Sequence, residues 1–292
     1  MKSQKSAELG GGKLYLVGTP IGNLEDITYR AIRILNEVDV IAAEDTRNTI
    51  KLCNHFEIKT PLTSYHENDL EIGGEKLLAM LAAGKTIALV SDAGMPCISD
   101  PGADITAKAI MAGYDVVPVP GANAAISALV ASGLDSTTFM FFGFLSRNKK
   151  ERRCQIDMLK KKEETVILYE APHRLKETVR ALHEQIGGAR QIVLARELTK
   201  RFEEFLRGTL EEAVEWVESS NIRGEFCIVL EGSDGSPEEA IEDAWWKGLS
   251  ISNHVSELID KKGIRSKEAI REVAMEREMS RREVYQEYHV EK

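Results

Sequence analysis

Along most of the chain, short apolar runs alternate with segments whose apolar residues fall three or four positions apart. The runs read as buried strands and the periodic segments as helices. Lys13–Val17 is the first predicted strand. It ends in the tight loop 18–23, after which Asp26 can cap a helix carrying Ile27, Ala31, Leu35 and Val38. A second strand is predicted over 38–42, a short helix over 48–55 and a longer one over 77–83. Thr86–Val90 is an uninterrupted buried strand, and Asp115–Val119 a shorter one that carries Pro118. The alternation then starts afresh. A helix of small residues over 124–131 precedes an aromatic strand over 139–142 and a partly helical basic segment. Strands over 165–169, 191–195, 202–206 and 225–230 follow, with helices ending near Gln185 and over 210–218.

Strands alternating with helices specify an α/β class. The restart near 118–121 predicts two α/β domains, 13–119 and 120–232. The stretch 232–237, rich in Gly and Ser and ending in Pro237, has linker chemistry. Beyond it the pattern is wholly helical: 251–262 stopped by Gly263, 267–277 capped by Ser266, and 281–289 opened by Ser280 and Glu283 as a capping box. A small helical domain over 238–292, of helix-turn-helix type, is expected. Residues 1–12 are polar with three glycines. They are expected to form a disordered tail and have no signal-peptide core.

Composition removes several classes. No apolar run reaches membrane-spanning length. Cys53, Cys97, Cys154 and Cys227 are scattered, which fits reduced thiols in a cytoplasmic protein. The histidines form no ligand-spaced pair, so no metal site is expected. A net charge of -9 argues against nucleic acid for the chain as a whole. Locally the sign reverses: 147–162 holds eight Lys or Arg against Glu151 and Asp157. Such a run is either a solvated helix face or a phosphate-binding arm. The tail from Glu238 carries ten Lys or Arg and thirteen Asp or Glu, so it is not plainly a nucleic-acid binder.

The candidate chemistry lies in the loops that close the strands. Loop 91–102 holds two Asp, two Pro, two Gly and two Ser, more than a bare connector of about 2–6 residues needs. Asp100 and Pro101 read as the cap and first turn of the next helix, but Ser91, Asp92, Gly94 and Met95 precede any cap. Loops 44–47, 64–68, 121–123, 170–174 and 196–200 are similarly polar. Open α/β sheets bind ligands at such strand ends. Neither G-x-G-x-x-G, a P-loop nor a nucleophile elbow is present, which lowers the weight of dinucleotide enzymes, P-loop NTPases and serine hydrolases.

Taken together, the segments 16–28, 43–47, 64–68, 90–102, 119–124, 169–175, 196–200 and 224–226 resemble the tetrapyrrole methylase superfamily, the class III S-adenosylmethionine-dependent methyltransferases. The first loop, Gly18-Thr-Pro-Ile-Gly-Asn23, departs from the G-x-G-P-G-D of the porphyrin branch. It is similar to the branch that methylates a cytidine 2′-hydroxyl in small-subunit (16S) ribosomal RNA. The resemblance implies two α/β domains with mixed sheets, S-adenosylmethionine in the cleft between them, and a homodimer. It implies that Pro20 and Ile21 line the cofactor's edge. Ser91, Asp92, Ala93, Gly94 and Met95 would hold its ribose and methionine parts. Asn123, Ala124, Tyr169, Glu170, Glu225 and Phe226 would close around it. Asp45, His66, Glu67, Asp100 and Glu170 are candidates for the base that takes the hydroxyl proton. Arg47, Arg174, Arg196 and Lys200 would suit RNA phosphates. Arg147, Lys149, Lys150, Arg152 and Arg153 would form the basic arm, with Phe141, Phe142 and Phe144 either stacking on bases or filling a strand. Two other readings stand beside this one: a porphyrin- or diphthamide-type methyltransferase, and a non-enzymatic RNA-binding factor.

Overall fold

The computed structural model describes residues 4, 11–67, 70–235, 246, 248–277 and 279–290. Of the disordered tail expected over 1–12 only 4, 11 and 12 are among them, and residues 236–237 of the expected linker and 238–245 and 247 of the expected helical domain lie outside them. Among the tail residues that are described, Gln4 bonds the backbone of Val116 through both ends of its amide. The chain divides into two compact units, Met1–Gly232 and Ser233–Lys292.

The first unit holds two five-stranded sheets. In one, β1 (Lys13–Val17), β2 (Val40–Ala43), β3 (Leu62–Ser64), β4 (Thr86–Val90) and β5 (Asp115–Val119) run in the order β3-β2-β4-β1-β5. Every pairing is parallel, so this sheet is not mixed. Both of its faces are covered, which is why its strands read as unbroken apolar runs. Alternate residues serve opposite faces. Val17, Ile41, Ala43, Ala88 and Val90 pack with α1 (Tyr29–Glu37) and α2 (Thr46–His55) through Ile34, Leu35 and Cys53. Leu14, Val40, Ala42, Ile87 and Leu89 pack with α3 (Leu70–Ala82) and α4 (Gly102–Ala112) through Leu77, Leu81, Ile105 and Ala109. A parallel sheet puts all the strand C-termini, and their loops, on one edge.

The second sheet is mixed. Its order is β6 (Phe139–Gly143), β7 (Thr165–Glu170), β10 (Phe226–Leu230), β8 (Gln191–Arg196) and β9 (Glu204–Thr209). β6 and β7 are parallel, and β10 runs antiparallel to both its neighbours. One face is sealed by α6 (Lys149–Lys160), α7 (Pro172–Ile186) and α8 (Leu210–Ser219). Among the described residues the one helix on the other face is α5 (Ala124–Ser132), which packs through Ala125, Ala128 and Leu129 beside Leu198. This single short helix leaves the Tyr169 end of the sheet open.

Several elements differ from the sequence expectation. α1 begins at Tyr29 under a Thr28 cap whose hydroxyl accepts from the Ala31 amide. Asp26 instead ends a short 3-10 turn, Leu24–Asp26. α3 begins at Leu70, because its core contacts override the weak propensity of Gly73 and Gly74. The strand expected over 38–42 is β2, and the one expected from 202 begins at Glu204. β3, over a stretch where the sequence pattern predicts no strand, pairs with β2 at the sheet's edge.

The second unit has α9 (Ile251–Lys262), α10 (Ser266–Glu276) and α11 (Arg281–Val290) around Val255, Leu258, Ile270, Val273 and Val284. Gly263 takes the left-handed conformation that stops α9. Ser280 and Glu283 exchange bonds as a capping box. Ser266 is the first residue of its helix and Arg265 the cap. Among the described residues no helix is long and apolar enough to cross a membrane.

Candidate active site

The loops at the C-terminal edge of the parallel sheet face the open end of the mixed sheet. Between them lies a cavity of about 520 Å³. Its floor is a row across three strands: Tyr169, Cys227 and Ala195 are register partners on β7, β10 and β8. From the parallel sheet come Ile21, Ala93, Gly94 and Met95. Asn123 and Ala124 stand at the start of α5, and Glu225 and Phe226 at the start of β10. With Glu170, ten of the thirteen residues expected around the cofactor therefore line one cavity. Pro20, Ser91 and Asp92 do not. They line a smaller cavity of about 330 Å³ together with Asn48, Lys51, Leu52 and His55 of α2.

Backbone contacts hold these walls. Thr19 and Gly94 form an antiparallel bridge with bonds of 2.9 and 3.0 Å. Gly18 meets Gly121 so closely that a Cβ on Gly18 would sit 2.7 Å from the Gly121 Cα. Only glycines permit that approach. Asn123 caps α5 by accepting from the Ile126 amide, and the Tyr169 hydroxyl accepts from the Ala125 amide at 3.1 Å. Four non-glycine residues beside the cavity, Cys97, Ser99, Glu197 and Thr199, have positive φ. Such strain is typical of functional loops. Burial pushes both the Tyr169 phenol and the Cys227 thiol up to about 12, so both stay protonated near neutral pH and neither is a nucleophile.

The candidate bases are not equivalent. Asp45 caps α2, and its hydrogen bonds from the Arg47 side chain and amide bring its pKa down to about 2, which makes it a weak base. Glu170 is 3% exposed and lines the large cavity. Its carboxylate is already occupied by the Thr178 hydroxyl, the Ala171 amide and Arg174. Asp100 clamps loop 91–102 by accepting from the Cys97 and Gly102 amides. The cap position of α4 itself falls to Pro101. His66 and Glu67 line neither cavity. A group that sequence reasoning passed over is Glu44, at the end of β2. Burial and the charges of Asp92, Asp100 and Glu67 push its carboxyl above the ordinary range, although it accepts from the Asp92 amide.

The cationic residues separate just as clearly. Arg147, Lys149, Lys150 and Arg153 are exposed. Arg152 is 4% exposed and ion-paired to Glu177, so it is turned into the fold and not towards solvent. Arg174 donates to the Leu145 carbonyl, and Arg196 to the Arg223 carbonyl and Glu204. Arg47 is held by Asp45. Lys200 lines the large cavity and bonds both Glu197 and Glu225. Burial opposes its charge, but those two carboxylates outweigh it and raise its pKa. Phe144 is half exposed at the cavity, 5.7 Å from the Tyr169 ring, whereas Phe141 and Phe142 are part-buried strand residues. Ile98, Leu198, Ala195 and Cys227 also line the cavity. Only the cross-strand register, which local sequence does not carry, places the last two there.

Residues 13–214 match the model of the Tetrapyrrole (Corrin/Porphyrin) Methylases. The chain belongs to this family. It is 54% identical over 279 residues to a Ribosomal RNA small subunit methyltransferase I of Bacillus subtilis, covering 96% of this chain and 94% of that one. It is 53% identical to the protein of that name from Halalkalibacterium halodurans over the full length of both. Among solved structures, uroporphyrin-III C-methyltransferase from Thermus thermophilus complexed with S-adenosyl homocysteine superposes with a TM-score of 0.55. It is 18% identical and covers 75% of this chain and 97% of its own. A diphthine synthase gives 0.57 at 16% identity, covering 75% and 90%. These two share the fold. A methyltransferase of this family uses S-adenosylmethionine, and the large cavity suits such a group. Its volume is within the usual range for ligand sites of about 300–1,000 Å³. Its apolar walls surround a few polar groups, Asn123, Lys200 and Glu225.

Proposed function

We propose that the chain transfers a methyl group from S-adenosylmethionine to a cytidine 2′-hydroxyl of 16S ribosomal RNA, as a cytoplasmic homodimer acting on the small ribosomal subunit. One observation carries this reading: the 53% identity to a Ribosomal RNA small subunit methyltransferase I extends over the whole of both chains, helical tail included. A porphyrin-type substrate would leave that tail and the exposed basic residues of 147–153 without a task.

When bound, S-adenosylmethionine supplies an electrophilic methyl group on a sulfonium. The chain's own residues provide position and dryness. Ile21, Ala93, Gly94 and Met95 form one wall and the Tyr169–Cys227–Ala195 row the floor. Gly94 lets backbone approach the ligand, and Met95 adds a soft apolar contact. Lys200, held by Glu197 and Glu225, closes one side. Arg147, Lys149, Lys150 and Arg153 form an exposed face for RNA phosphates.

The test is transfer of labelled methyl from S-adenosylmethionine into small subunits, naked 16S RNA or a porphyrin, with the product nucleoside identified by mass spectrometry. The expected product is 2′-O-methylcytidine. Methylation of the porphyrin alone, or of a base, would replace this reading.

A further inference from the structure

The large cavity has two ends. Its lining crosses the mixed sheet in the strand order β6, β7, β10, β8, a span of about 14 Å at a strand spacing of about 4.8 Å. At the β8 end, Lys200 is tied to Glu197 and Glu225. At the β6 end stand Phe144, which follows β6 directly, and Pro172 and His173 in the first turn of α7. Loop 91–102 reaches the same end. A Cβ on Gly143 would stand 3.2 Å from the Ser99 Oγ, and Ile98 lines the cavity. Phe144 and Ile98 are 51% and 40% exposed, and His173 is exposed as well. None of the three belongs to the contacts expected for the methyl donor, yet all share one lining with Gly94 and Met95.

The β6 end is also where the basic segment begins. The exposed cations Arg147, Lys149, Lys150 and Arg153 follow Phe144 in the chain. An RNA phosphate held on them brings the adjoining nucleotide to this end of the cavity. Arg174 braces the corner. It donates to the Leu145 carbonyl at 2.6 Å and pairs with Glu170, so the residue after Phe144 is joined to the residue after His173.

Six side chains of the lining titrate: Tyr169, Glu170, His173, Lys200, Glu225 and Cys227. Tyr169 and Cys227 keep their protons near neutral pH. Glu170 is engaged by the Thr178 hydroxyl, the Ala171 amide and Arg174. Lys200 and Glu225 are bonded to each other at the far end. Of the six, only the His173 ring has no hydrogen bond or ion pair among the described residues.

We infer that the acceptor nucleotide enters at the β6 end with its base against Phe144, and that His173 takes the proton from its 2′-hydroxyl. The inference rests on the proposed function, which makes that hydroxyl the acceptor. The hydroxyl oxygen bonds to the methyl carbon as the sulfur–carbon bond breaks. The sulfur keeps that electron pair, and S-adenosylhomocysteine leaves. The hydroxyl proton passes to a ring nitrogen of His173 and from there to water. Histidine is the side chain used most often for such a transfer. An exposed aromatic ring is a plate on which any base can stack.

The test compares the full-length parent with His173→Ala and His173→Gln, each checked for an unchanged thermal transition. With small subunits as acceptor, both variants should lose roughly 100-fold or more in kcat. Their affinity for S-adenosylhomocysteine, read by calorimetric titration, should stay within a few-fold of the parent's. Imidazole added to the buffer should restore part of the His173→Ala rate and leave the parent's unchanged. A second readout needs no turnover. The parent, saturated with S-adenosylhomocysteine, is titrated to saturation with a short cytidine-containing RNA while histidine ring signals are followed by NMR. The signal missing from His173→Ala is expected to move, and Phe144→Leu should weaken binding of that RNA by roughly tenfold. Retained kcat in the two histidine variants, or a His173 signal that stays fixed as the RNA saturates, would overturn the assignment. So would an equal loss of S-adenosylhomocysteine affinity, which would make His173 one of the donor's own contacts. If the parent methylates no RNA, the proposed function fails and the base with it. An active parent beside an equally active His173→Ala fails this inference alone.

Discussion

Thr19 and Gly94 exchange both of their backbone hydrogen bonds, at 2.9 and 3.0 Å, although they belong to loops after different strands. Gly94 makes this bridge with φ at +78°, and a Cβ there would stand 3.2 Å from the Ile21 Cγ2. Gly94→Val should therefore strain the backbone by about 1–3 kcal/mol and push a side chain against the wall of the large cavity. Calorimetric titration should show at least roughly tenfold weaker S-adenosylhomocysteine binding, a loss of about 1.4 kcal/mol. A folded variant with unchanged affinity would place the cofactor elsewhere.

Glu170 separates a structural from a catalytic carboxylate. Its oxygens are engaged by Thr178, Ala171 and Arg174. Glu170→Gln keeps the shape but weakens a buried, charge-assisted network, so stability should fall by about 1–3 kcal/mol. At a temperature where the variant is fully folded, its kcat should remain within a few-fold of the parent. A loss of several orders of magnitude in kcat without a change in stability would make Glu170 the base.

The neighbours Arg152 and Arg153 should behave oppositely. Arg153 is exposed, whereas Arg152 is buried against Glu177. Arg153→Gln should weaken RNA binding and flatten its salt dependence by roughly one unit in log–log slope. Arg152→Gln should leave that slope unchanged and lower the unfolding midpoint, because it strands a buried region without its cation. Filter binding across a salt series and thermal unfolding read the two effects.

The helical unit carries its own pH dependence. His254 is fully buried, accepts from the Arg277 guanidinium at its Nδ1, stacks on Trp246 and has Nε2 3.1 Å from Glu276. Burial and the Arg277 charge bring its pKa down to about 4. The folded state thus favours the neutral ring, while the unfolded chain takes up a proton near pH 6.5. Stability is complete above about pH 6.5 and declines as pH falls towards 4, by up to about 3 kcal/mol. Urea unfolding of the full chain at pH 7 and pH 5, followed by tryptophan fluorescence, should show an early acid-sensitive transition that His254→Gln removes.

What the sequence made legible follows burial. Lys13–Val17, Thr86–Val90, Asp115–Val119 and Ile251–Lys262 coincide with observed elements, because strands covered on both faces and a helix with a clear glycine stop advertise themselves locally. β3 has three residues and one partner strand, too short a run to give a period. The first turns of α3 were hidden by two glycines that tertiary contacts tolerate. The loops that make the site were visible as polar breaks, but not their division between two cavities. That division depends on the Thr19–Gly94 bridge, a contact between residues far apart in the chain. The burial of Arg152 was equally invisible, since an arginine in a basic run has the same letter whether it faces water or Glu177.

β10 is the last strand of its sheet to be synthesised, yet it lies in the middle, between β7 and β8. Until residues 226–230 leave the ribosome, β7 and β8 have no strand to join them, and the Cys227 position in the cavity floor is empty. A nascent or truncated chain can complete the parallel sheet early, but not the chamber. A chain cut before residue 226 thus lacks both the strand that joins β7 to β8 and the Phe226 and Cys227 side chains of the cavity lining.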